Sequence, residues 1–353
     1  MLLLVTGVAG FIGSNFVFHH LRSFPDDVIV GLDLLTYAGN LANLESLPPA
    51  SLSRFSFVKG DINDLSLLSD LFSQHSFDAV VNFAAESHVD RSIEDPQVFL
   101  RTNILGTQSL LHVAKNHWSS SGSFSPSHRF VQVSTDEVYG SLGPTGLFSE
   151  LTPLDPHSPY SASKASADLI AKSYFDTFGF PVLTTRCSNN YGPFQFPEKL
   201  IPLMIYNALH GKDLPVYGDG LQVRDWLYVS DHCSAIDLVL RDGRLGEVYN
   251  IGGHNERENI AIVHQIIDLV HEFTGDDRVT RSLVRHVRDR PGHDRRYGID
   301  PSKISSELGW QPQIAFEDGL RLTVRWYLDH LDWVDQVISG EYLRFYESNY
   351  LQR

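Results

Sequence analysis

The sequence predicts an α/β fold, with a doubly wound parallel sheet and a second, smaller lobe interleaved with it. Over the first 190 residues, short apolar runs alternate with longer amphipathic stretches, which is typical of successive βαβ units. Beyond about residue 188 this alternation ends and irregular segments become longer. The runs expected to form strands span residues 2–7, 28–33, 54–61, 79–85, 129–136 and 181–187.

These runs are rich in β-branched residues and leucine on both faces, as strands covered by helices on both sides must be. The helices expected between them span residues 13–22, 97–117, 163–178 and 198–210, and right-handed crossovers place them on the sheet. We expect residues 1–188 to form the first domain, with elements that return to it at about 225–257. Residues of about 189–224 and 258–353 are expected to form the second lobe.

The composition is that of an ordinary globular chain of 353 residues, with 42% hydrophobic and 20% charged residues, which excludes disorder as its main state. The net charge of −15 argues against nucleic acid or an anionic membrane as the main partner. No apolar run approaches the ~20 residues that span a bilayer. Cys187 and Cys233 lack metal-ligand spacing, which favours a reducing compartment. We therefore expect a cytoplasmic protein without leader, disulfide or metal site.

A glycine-rich turn follows the first predicted strand. Gly7, Gly10 and Gly13, in VTGVAGFIG, stand where the strand ends and a helix begins. Backbone N–H groups and the positive end of the helix can face a pyrophosphate at such a turn. By itself the GxxGxxG spacing is also compatible with a tight strand–helix turn that binds nothing.

Two carboxylates strengthen the interpretation as a dinucleotide site. Asp33 lies 20 residues after Gly13, at the end of the second strand, where it can accept hydrogen bonds from ribose hydroxyls. No arginine follows closely to bind a 2′-phosphate, so NAD is favoured over NADP. Asp61 is placed to reach the adenine end, although it could equally cap the following helix. The first domain is therefore predicted to be a Rossmann-type, NAD-binding domain.

Tyr160 and Lys164 occur together in the segment YSASK, at the expected start of a helix. A spacing of four places both side chains on one helix face. An ammonium beside a phenol favours the phenolate, which can act as a base. A YxxxK spacing alone also fits a solvated helix face, but its position after a nucleotide-binding pattern favours the catalytic interpretation.

The fifth predicted strand ends in STDEVYG, which contains Thr135, Asp136 and Glu137. Successive side chains of a regular strand point to opposite faces, so the two carboxylates can serve one pocket only if the chain leaves the strand there. Ligands of open α/β sheets bind beyond the carboxyl ends of the strands. Two carboxylates in different environments can divide acid and base roles, whereas the plainer interpretation is a solvated acidic loop.

An arginine-rich segment lies in the predicted second lobe. Residues 281–296 contain six arginines against two aspartates. Arginine side chains suit a nucleotide diphosphate, although a basic surface paired with the protein's own acids is the plainer alternative. Trp226 and Tyr228 alternate with apolar residues and are interpreted as core residues rather than ligand contacts.

Taken together, these motifs make the chain resemble the extended short-chain dehydrogenase/reductase superfamily and, within it, the dTDP-glucose 4,6-dehydratase family. The matching segments run from residue 1 to about residue 300. The glycine turn, SPYSASKA and YNIGG are typical of the whole superfamily. The acidic pair in STDEVYG is much more specific, as are AAESHVDRS, SNNYGPFQFPEK and RPGHDRRY.

The resemblance implies a lyase that converts dTDP-glucose into dTDP-4-keto-6-deoxyglucose and water, with NAD retained through the cycle. Tyr160, assisted by Lys164 and Thr135, would take the proton of the 4-hydroxyl while a hydride leaves C4. Glu137 would then remove the C5 proton, and Asp136 would protonate the departing C6 hydroxyl. The hydride would finally return to C6. The elimination requires this further acid and base because it moves a proton at C5 and a leaving group at C6.

The resemblance also implies, by motif position, which residues contact the ligands. The NAD site would contain Gly7, Gly10, Phe11, Ile12, Gly13, Asp33, Asp61, Ile62, Ala84, Ala85, Ser87, Thr102, Tyr160, Lys164 and Asn190. The nucleotide-sugar site would contain His88, Thr135, Asn189, Glu198, Lys199, Leu200, Pro215, Val216, Tyr217, Arg224, Asn259, Asp289, Arg290, Pro291, Gly292 and His293.

Two alternatives stay open at the level of the sequence. A nucleotide-sugar 4-epimerase or decarboxylase would share the glycine turn and the YxxxK spacing, but typically lacks the acidic pair. A non-catalytic NAD-binding scaffold commonly loses the tyrosine or the lysine. The resemblance further implies a homodimer formed through the helices at 97–117 and 163–178.

Overall fold

A computed structural model describes residues 1–119 and 122–338 of the chain. Part of the expected second lobe, residues 339–353, therefore lies outside the described residues. The strands are β1 (Leu2–Thr6), β2 (Val28–Asp33), β3 (Phe55–Lys59), β4 (Ala79–Asn82), β5 (Arg129–Thr135), β6 (Val182–Cys187), β7 (Asn189–Tyr191), β8 (Leu214–Tyr217), β9 (Val223–Tyr228), β10 (Val248–Ile251), β11 (Glu256–Glu258) and β12 (Val284–Val287).

Helices connect most of these strands. They are α1 (Phe11–Ser23), α2 (Pro49–Leu52), α3 (Leu65–Gln74), α4 (Val89–Glu94), α5 (Pro96–Phe99), α6 (Thr107–Trp118), α7 (Pro159–Phe178), α8 (Leu200–Leu209), α9 (Val229–Asp242), α10 (Asn259–Thr274), α11 (Ser302–Leu308), α12 (Phe316–Asp329) and α13 (Leu331–Val337). A π-helical turn, Leu100–Gly106, joins α5 to α6. None of the helices in the described part of the chain is long and apolar enough to cross a membrane.

Seven strands form one parallel sheet in the order β10-β6-β5-β4-β1-β2-β3. The chain builds outward from β1 to β3 and then returns to the other side of β1 with β4. The direction therefore reverses between β1 and β4, and the crevice at that point is where open α/β sheets bind ligands. The predicted doubly wound, Rossmann-type sheet is confirmed.

Both faces of this sheet are covered, as its apolar strands require. Leu3 and Val5 of β1 contribute to a buried core shared with α1 and α9. Leu4, which points to the opposite face, belongs to a core shared with α3, α6 and α7. This alternation follows from the two-residue period of a strand.

The second lobe has a core of its own. Helices α8, α10 and α12 pack there around a three-stranded sheet in the order β11-β9-β7. A separate parallel pair, β8 with β12, lies in the same lobe. The core of this lobe sits beyond the carboxyl ends of the large sheet, because β7 follows β6 after a single residue.

At two places after residue 189, the division of elements between the first domain and the second lobe differs from the expected ranges. The strand at 225–228 was expected to return to the first domain, but β9 pairs with β7 and β11. Side chains of β9 contribute to both cores, since Trp226 packs in the core of the lobe and Leu227 packs in the core of the large sheet. Ile304 and Trp310, expected in the lobe, also pack in the core of the large sheet. In contrast, β10 joins the large sheet beside β6, as expected.

Candidate active site

A long cleft, called here the cofactor cleft, opens at the carboxyl ends of the large sheet. Every residue that the sequence assigns to the NAD site lines this cleft. The segments that form it follow β1, β2, β3, β4 and β5 and include the start of α7. Residues as far apart in the sequence as Gly7 and Asn190 therefore meet because parallel strands end at the same edge of the sheet.

The turn between β1 and α1 is shaped by its glycines. Gly7 has a φ of 70°, which glycine adopts without strain, and its N–H donates to the Leu32 carbonyl at 2.8 Å. A Cβ on Gly13 would lie 2.1 Å from the Gly7 oxygen, so no larger residue fits there. No side chain of the described residues caps the first turn of α1. Its N–H groups can therefore face a pyrophosphate, and the turn fits the phosphates of a dinucleotide.

We expect Gly13→Ala to weaken dinucleotide binding at least about tenfold, because the new methyl group forces the turn open. The amount of NAD carried by the purified protein, together with the dissociation constant for added NAD, measures the effect. Gly143→Ala is a matched control, since a Cβ there meets nothing within 4 Å. Equal NAD affinity in the two variants would contradict this use of the turn.

The adenosine end of the cleft contains the two predicted carboxylates. Asp33 accepts hydrogen bonds from the N–H groups of Ala9 (2.9 Å) and Leu35 (2.8 Å), which fix its orientation at the end of β2. Burial raises the pKa of Asp33, against these two hydrogen bonds. Asp61 also lines the cleft and accepts from Asn63. The alternative role of Asp61 as a helix cap is wrong, because Asp64 caps α3.

The loop after β4 is held by a residue that sequence reasoning missed. Asn103, in the π-helical turn, bonds both the N–H of Glu86 (2.9 Å) and its carbonyl (3.0 Å). Its amide also donates to the Ser163 hydroxyl of α7 at 2.8 Å. Asn103 thereby ties the cleft wall, which includes Thr102, to the helix that carries Tyr160.

Helix α7 begins at Pro159, four residues earlier than expected, because Ser158 and Ser161 form a capping box. Tyr160 and Lys164 therefore lie in its first turns, and both line the cofactor cleft. The Lys164 ammonium donates to the Val133 carbonyl at 2.7 Å. Burial and the Glu137 carboxylate raise the pKa of Tyr160, whereas a hydrogen bond with the Thr135 hydroxyl lowers it. The sequence predicts that Lys164 lowers the pKa of Tyr160, but the effects that raise this pKa dominate.

The acidic pair reaches one cleft because the chain leaves the strand at the required point. Strand β5 ends at Thr135, and a single 3₁₀ turn, Asp136–Tyr139, follows. The Thr135 hydroxyl accepts from the Glu137 N–H and donates to an Asp136 oxygen, both at 3.3 Å. Both carboxylates line the cofactor cleft with Tyr160. The plainer interpretation as a solvated acidic loop is wrong, since Asp136 is 1% exposed.

The two carboxylates lie in different electrostatic environments. Burial, followed by the neighbouring carboxylates of Glu137 and Asp225, raises the pKa of Asp136 well above its usual value. Burial also raises the pKa of Glu137, but three cations oppose this rise, namely Lys199, Arg224 and Arg290. Asp136 is therefore suited to carry a proton and Glu137 to accept one, which is the division that acid–base catalysis requires.

A second cavity, called here the lobe cavity, adjoins the cofactor cleft, and Glu137 lines both. Most residues assigned to the nucleotide sugar line this lobe cavity: His88, Asn189, Glu198, Lys199, Leu200, Pro215, Val216, Tyr217, Arg224, Asn259, Arg290, Gly292 and His293. Thr135 lines the cofactor cleft instead. Burial lowers the pKa of His88 well below its usual value, and burial with Arg290 and Arg224 lowers that of His293 to about 4.

Two predicted contacts, Asp289 and Pro291, lie outside both linings. Asp289 instead bonds the imidazole of His293 at 2.6 Å and accepts from Gln222 at 3.0 Å. It therefore orients a lining residue, whereas Pro291 is exposed to solvent.

Of the six clustered arginines, Arg290 alone lines the lobe cavity. The plainer alternative applies to four others, which pair with the protein's own acids: Arg281 with Asp268, Arg285 with Asp213, Arg295 with Asp219 and Arg296 with Glu256. Local net charge did not distinguish one inward arginine from its surface neighbours.

Sequence reasoning also missed part of the lobe-cavity lining. Trp226 is a core residue, as expected, but it lines the cavity as well, with Arg224 two residues before it on the same strand face. The two-residue period could have indicated this. Leu203 and Met204 line the cavity one helical turn after Lys199 and Leu200, a spacing that could have indicated them.

Comparisons with known proteins identify the family of the chain. The model of the GDP-mannose 4,6 dehydratase family matches residues 4–323. A dTDP-glucose 4,6-dehydratase of Xanthomonas campestris pv. campestris (strain B100) is 55% identical over 343 residues, which are 96% of each chain. The crystal structure of a dTDP-glucose 4,6-dehydratase from Streptomyces venezuelae with NAD and TYD bound is 50% identical, with a TM-score of 0.87, covering 96% of this chain and 100% of that one.

An epimerase is more distant in sequence. The UDP-glucose 4-epimerase of Thermotoga maritima, solved with UDP-glucose, is 29% identical, with a TM-score of 0.81 over 94% of this chain and 100% of that one. The shared fold therefore does not separate the two activities, whereas the identity over nearly the full chain does. The chain belongs to the dTDP-glucose 4,6-dehydratase family.

Proposed function

We propose that this protein is an NAD-dependent hydro-lyase that converts dTDP-glucose into dTDP-4-keto-6-deoxyglucose and water. The observation that carries the proposal is the meeting of Tyr160 with the acidic pair, Asp136 and Glu137, in one cleft beside the glycine turn. An oxidoreductase site needs only the phenol. A buried acid, Asp136, and a half-buried base, Glu137, next to this phenol are explained by an elimination in the same active site.

The residues of the cofactor cleft fit NAD, which when bound would supply the hydride chemistry for oxidation at sugar C4 and reduction at C6. The glycine turn would hold the pyrophosphate, and Asp33 would accept hydrogen bonds from the ribose hydroxyls. The adenosine end is lined by Leu34, Thr36, Ala38 and Gly39, which include no cation for a 2′-phosphate.

Tyr160 takes the proton of the sugar 4-hydroxyl in the first step. Because burial raises the pKa of this phenol, the phenolate that acts as the base depends on stabilising groups beside it. The Thr135 hydroxyl favours the phenolate by its hydrogen bond, and the ammonium of Lys164 supplies positive charge one helical turn away. Oxidation at C4 produces a ketone, which acidifies the proton at the adjacent C5.

The acidic pair carries out the elimination. Glu137 takes the C5 proton and gives a proton back to C5 when C6 is reduced; burial raises its pKa, and three surrounding cations oppose this rise. Asp136 gives its proton to the C6 hydroxyl, which leaves as water, because burial and two neighbouring carboxylates raise the pKa of Asp136 and so favour its protonated form. The lobe cavity holds the nucleotide diphosphate, with Arg224 and Arg290 as the cations beside it.

A substrate panel tests this proposal. The purified protein is incubated with dTDP-, UDP-, GDP- and CDP-glucose, and each product is weighed by mass spectrometry. We expect dTDP-glucose to lose the mass of one water most rapidly. Conversion of a sugar nucleotide without loss of mass would indicate an epimerase, and the absence of any conversion would overturn the enzymatic assignment.

We further propose that the protein is a cytoplasmic homodimer. The segment that runs from α5 through the π-helical turn packs against α7. It exposes Val98 (43%) and Leu105 (57%), and α7 exposes Leu169 (59%). A second copy would cover these apolar side chains, and light scattering on the purified protein reports the mass of the assembly.

A further inference from the structure

The segment HVDRS, residues 88–92, contains an aspartate to which the proposed function gives no role. Asp90 lies on α4, one residue after the start of this helix, and is 1% exposed. One of its oxygens, Oδ2, accepts hydrogen bonds from the Tyr217 hydroxyl at 3.0 Å and from Nη2 of Arg290 at 3.1 Å. A buried carboxylate of the first domain thus binds two side chains of the lobe.

Both partners of Asp90 line the lobe cavity. Tyr217 ends β8 and Arg290 follows β12, and the guanidinium of Arg290 also lies 4.8 Å from the centre of the Tyr217 ring. The carboxylate, the phenol and the guanidinium therefore interlock. His88, which immediately precedes α4, lines the same cavity, so α4 places Asp90 directly behind the cavity wall.

This ion pair differs from the arginine pairs at the protein surface. Asp90 and Arg290 have side-chain exposures of 1% and 20%, whereas Asp219 and Arg295 have exposures of 52% and 53%. Exposed pairs hold their side chains weakly, but a buried, hydrogen-bonded carboxylate restricts a long arginine to one geometry. The charge of Asp90 also acts on Lys199, another lining residue, by raising its pKa against the effect of burial.

We propose that Asp90 is a positioning residue for the nucleotide sugar, which holds Arg290 and Tyr217 in the geometry that receives the diphosphate. This inference rests on the proposed function, because it takes the ligand of the lobe cavity to be a nucleoside diphosphate sugar. Ordering a flexible arginine before the ligand arrives lowers the entropic cost of binding. Asp90 then affects substrate affinity more than it affects the chemical steps, which take place at Tyr160, Asp136 and Glu137.

The test is Asp90→Asn, which preserves shape but removes the charge. We expect the dissociation constant for dTDP, measured by titration calorimetry, and the KM for dTDP-glucose to rise about tenfold. The kcat at saturating substrate should change less than about threefold and the bound NAD should not change, since neither Asp90 nor its partners line the cofactor cleft. A purely structural role would instead lower kcat, NAD content and stability together.

Two further variants keep the test informative. Asp219→Asn breaks an exposed aspartate–arginine pair of the same lobe and should leave both affinities unchanged. Tyr217→Phe removes only one donor to Asp90 and should weaken dTDP binding about threefold. In the double variant with Asp90→Asn this second effect should largely disappear, because the acceptor of the tyrosine hydroxyl is already lost.

Unchanged dTDP affinity and KM in Asp90→Asn would overturn the inference, as would independent, additive effects of the two substitutions. If Asp90→Asn fails to fold, the double variant cannot be measured and the test uses Tyr217→Phe alone. Unchanged dTDP affinity in Tyr217→Phe then overturns the inference. The wild-type protein separates this outcome from failure of the proposed function. If the wild type dehydrates dTDP-glucose but Asp90→Asn changes neither dTDP affinity nor KM, only the role of Asp90 is rejected. If the wild type dehydrates no sugar nucleotide, the proposed function is rejected.

Discussion

Replacing Tyr160 with phenylalanine is expected to lower kcat for dTDP-glucose about 10³-fold or more while leaving NAD bound. The substitution removes the oxygen that takes the 4-hydroxyl proton, and positioned acid–base groups contribute effects of this size. The aromatic ring keeps its packing, including the edge-on contact with Phe99. Rates of product formation, together with the NAD content of the purified variant, measure the effect.

A tyrosine on the same helix provides the control. Tyr174 also lies on α7 and is 8% exposed, but it is outside both cavity linings, and its hydroxyl accepts a hydrogen bond from Gln108. Tyr174→Phe should retain wild-type kcat. Turnover of Tyr160→Phe close to that of Tyr174→Phe would reject Tyr160 as the base.

Replacing Glu137 with glutamine is expected to block the elimination and to lower product formation by about 10²- to 10⁴-fold. Glutamine has nearly the shape of glutamate but cannot take the C5 proton. Oxidation at C4 does not depend on this carboxylate, so the variant should accumulate a nucleotide sugar that has lost two hydrogens but no water. Rapid quenching followed by mass spectrometry detects this species.

Comparison with Asp136→Asn separates the two carboxylates. In deuterated solvent, Glu137→Gln should not exchange the C5 proton, whereas Asp136→Asn should still exchange it, since only the leaving group lacks its acid. Both variants should fail to release water at the normal rate. Unchanged production of the keto sugar by Glu137→Gln, or equal C5 exchange in the two variants, would contradict the assignment of base and acid.

The architecture of the large sheet could be predicted because its physical signal is local. Strands buried on both faces require continuous apolar runs, so β1, β2 and β6 were predicted to within a residue. The helix predicted at 97–117 is interrupted by a π-helical turn, which periodicity does not reveal. That turn brings Asn103 to Glu86 and Ser163, contacts between segments that are distant in the sequence.

The candidate site was predictable where a ligand imposes a local spacing, as at the glycine turn and at Tyr160 and Lys164. It was not predictable where function depends on distant pairing. Asp90 meets Tyr217 and Arg290 across 127 and 200 residues. The local charge count therefore gives the six arginines of residues 281–296 the same weight. Only their partners in the folded structure distinguish Arg290 from the arginines of the surface ion pairs.

The central claim is that a single active site oxidises C4, eliminates water and reduces C6 of the same hexose. Incubation with dTDP-glucose that carries deuterium at C4 tests it most directly, with the product followed by mass spectrometry and nuclear magnetic resonance. We predict a product lighter by one water, with the deuterium transferred to its C6 methyl group. Deuterium that remains at C4 of a sugar of unchanged mass would contradict the account, however tightly the protein binds NAD.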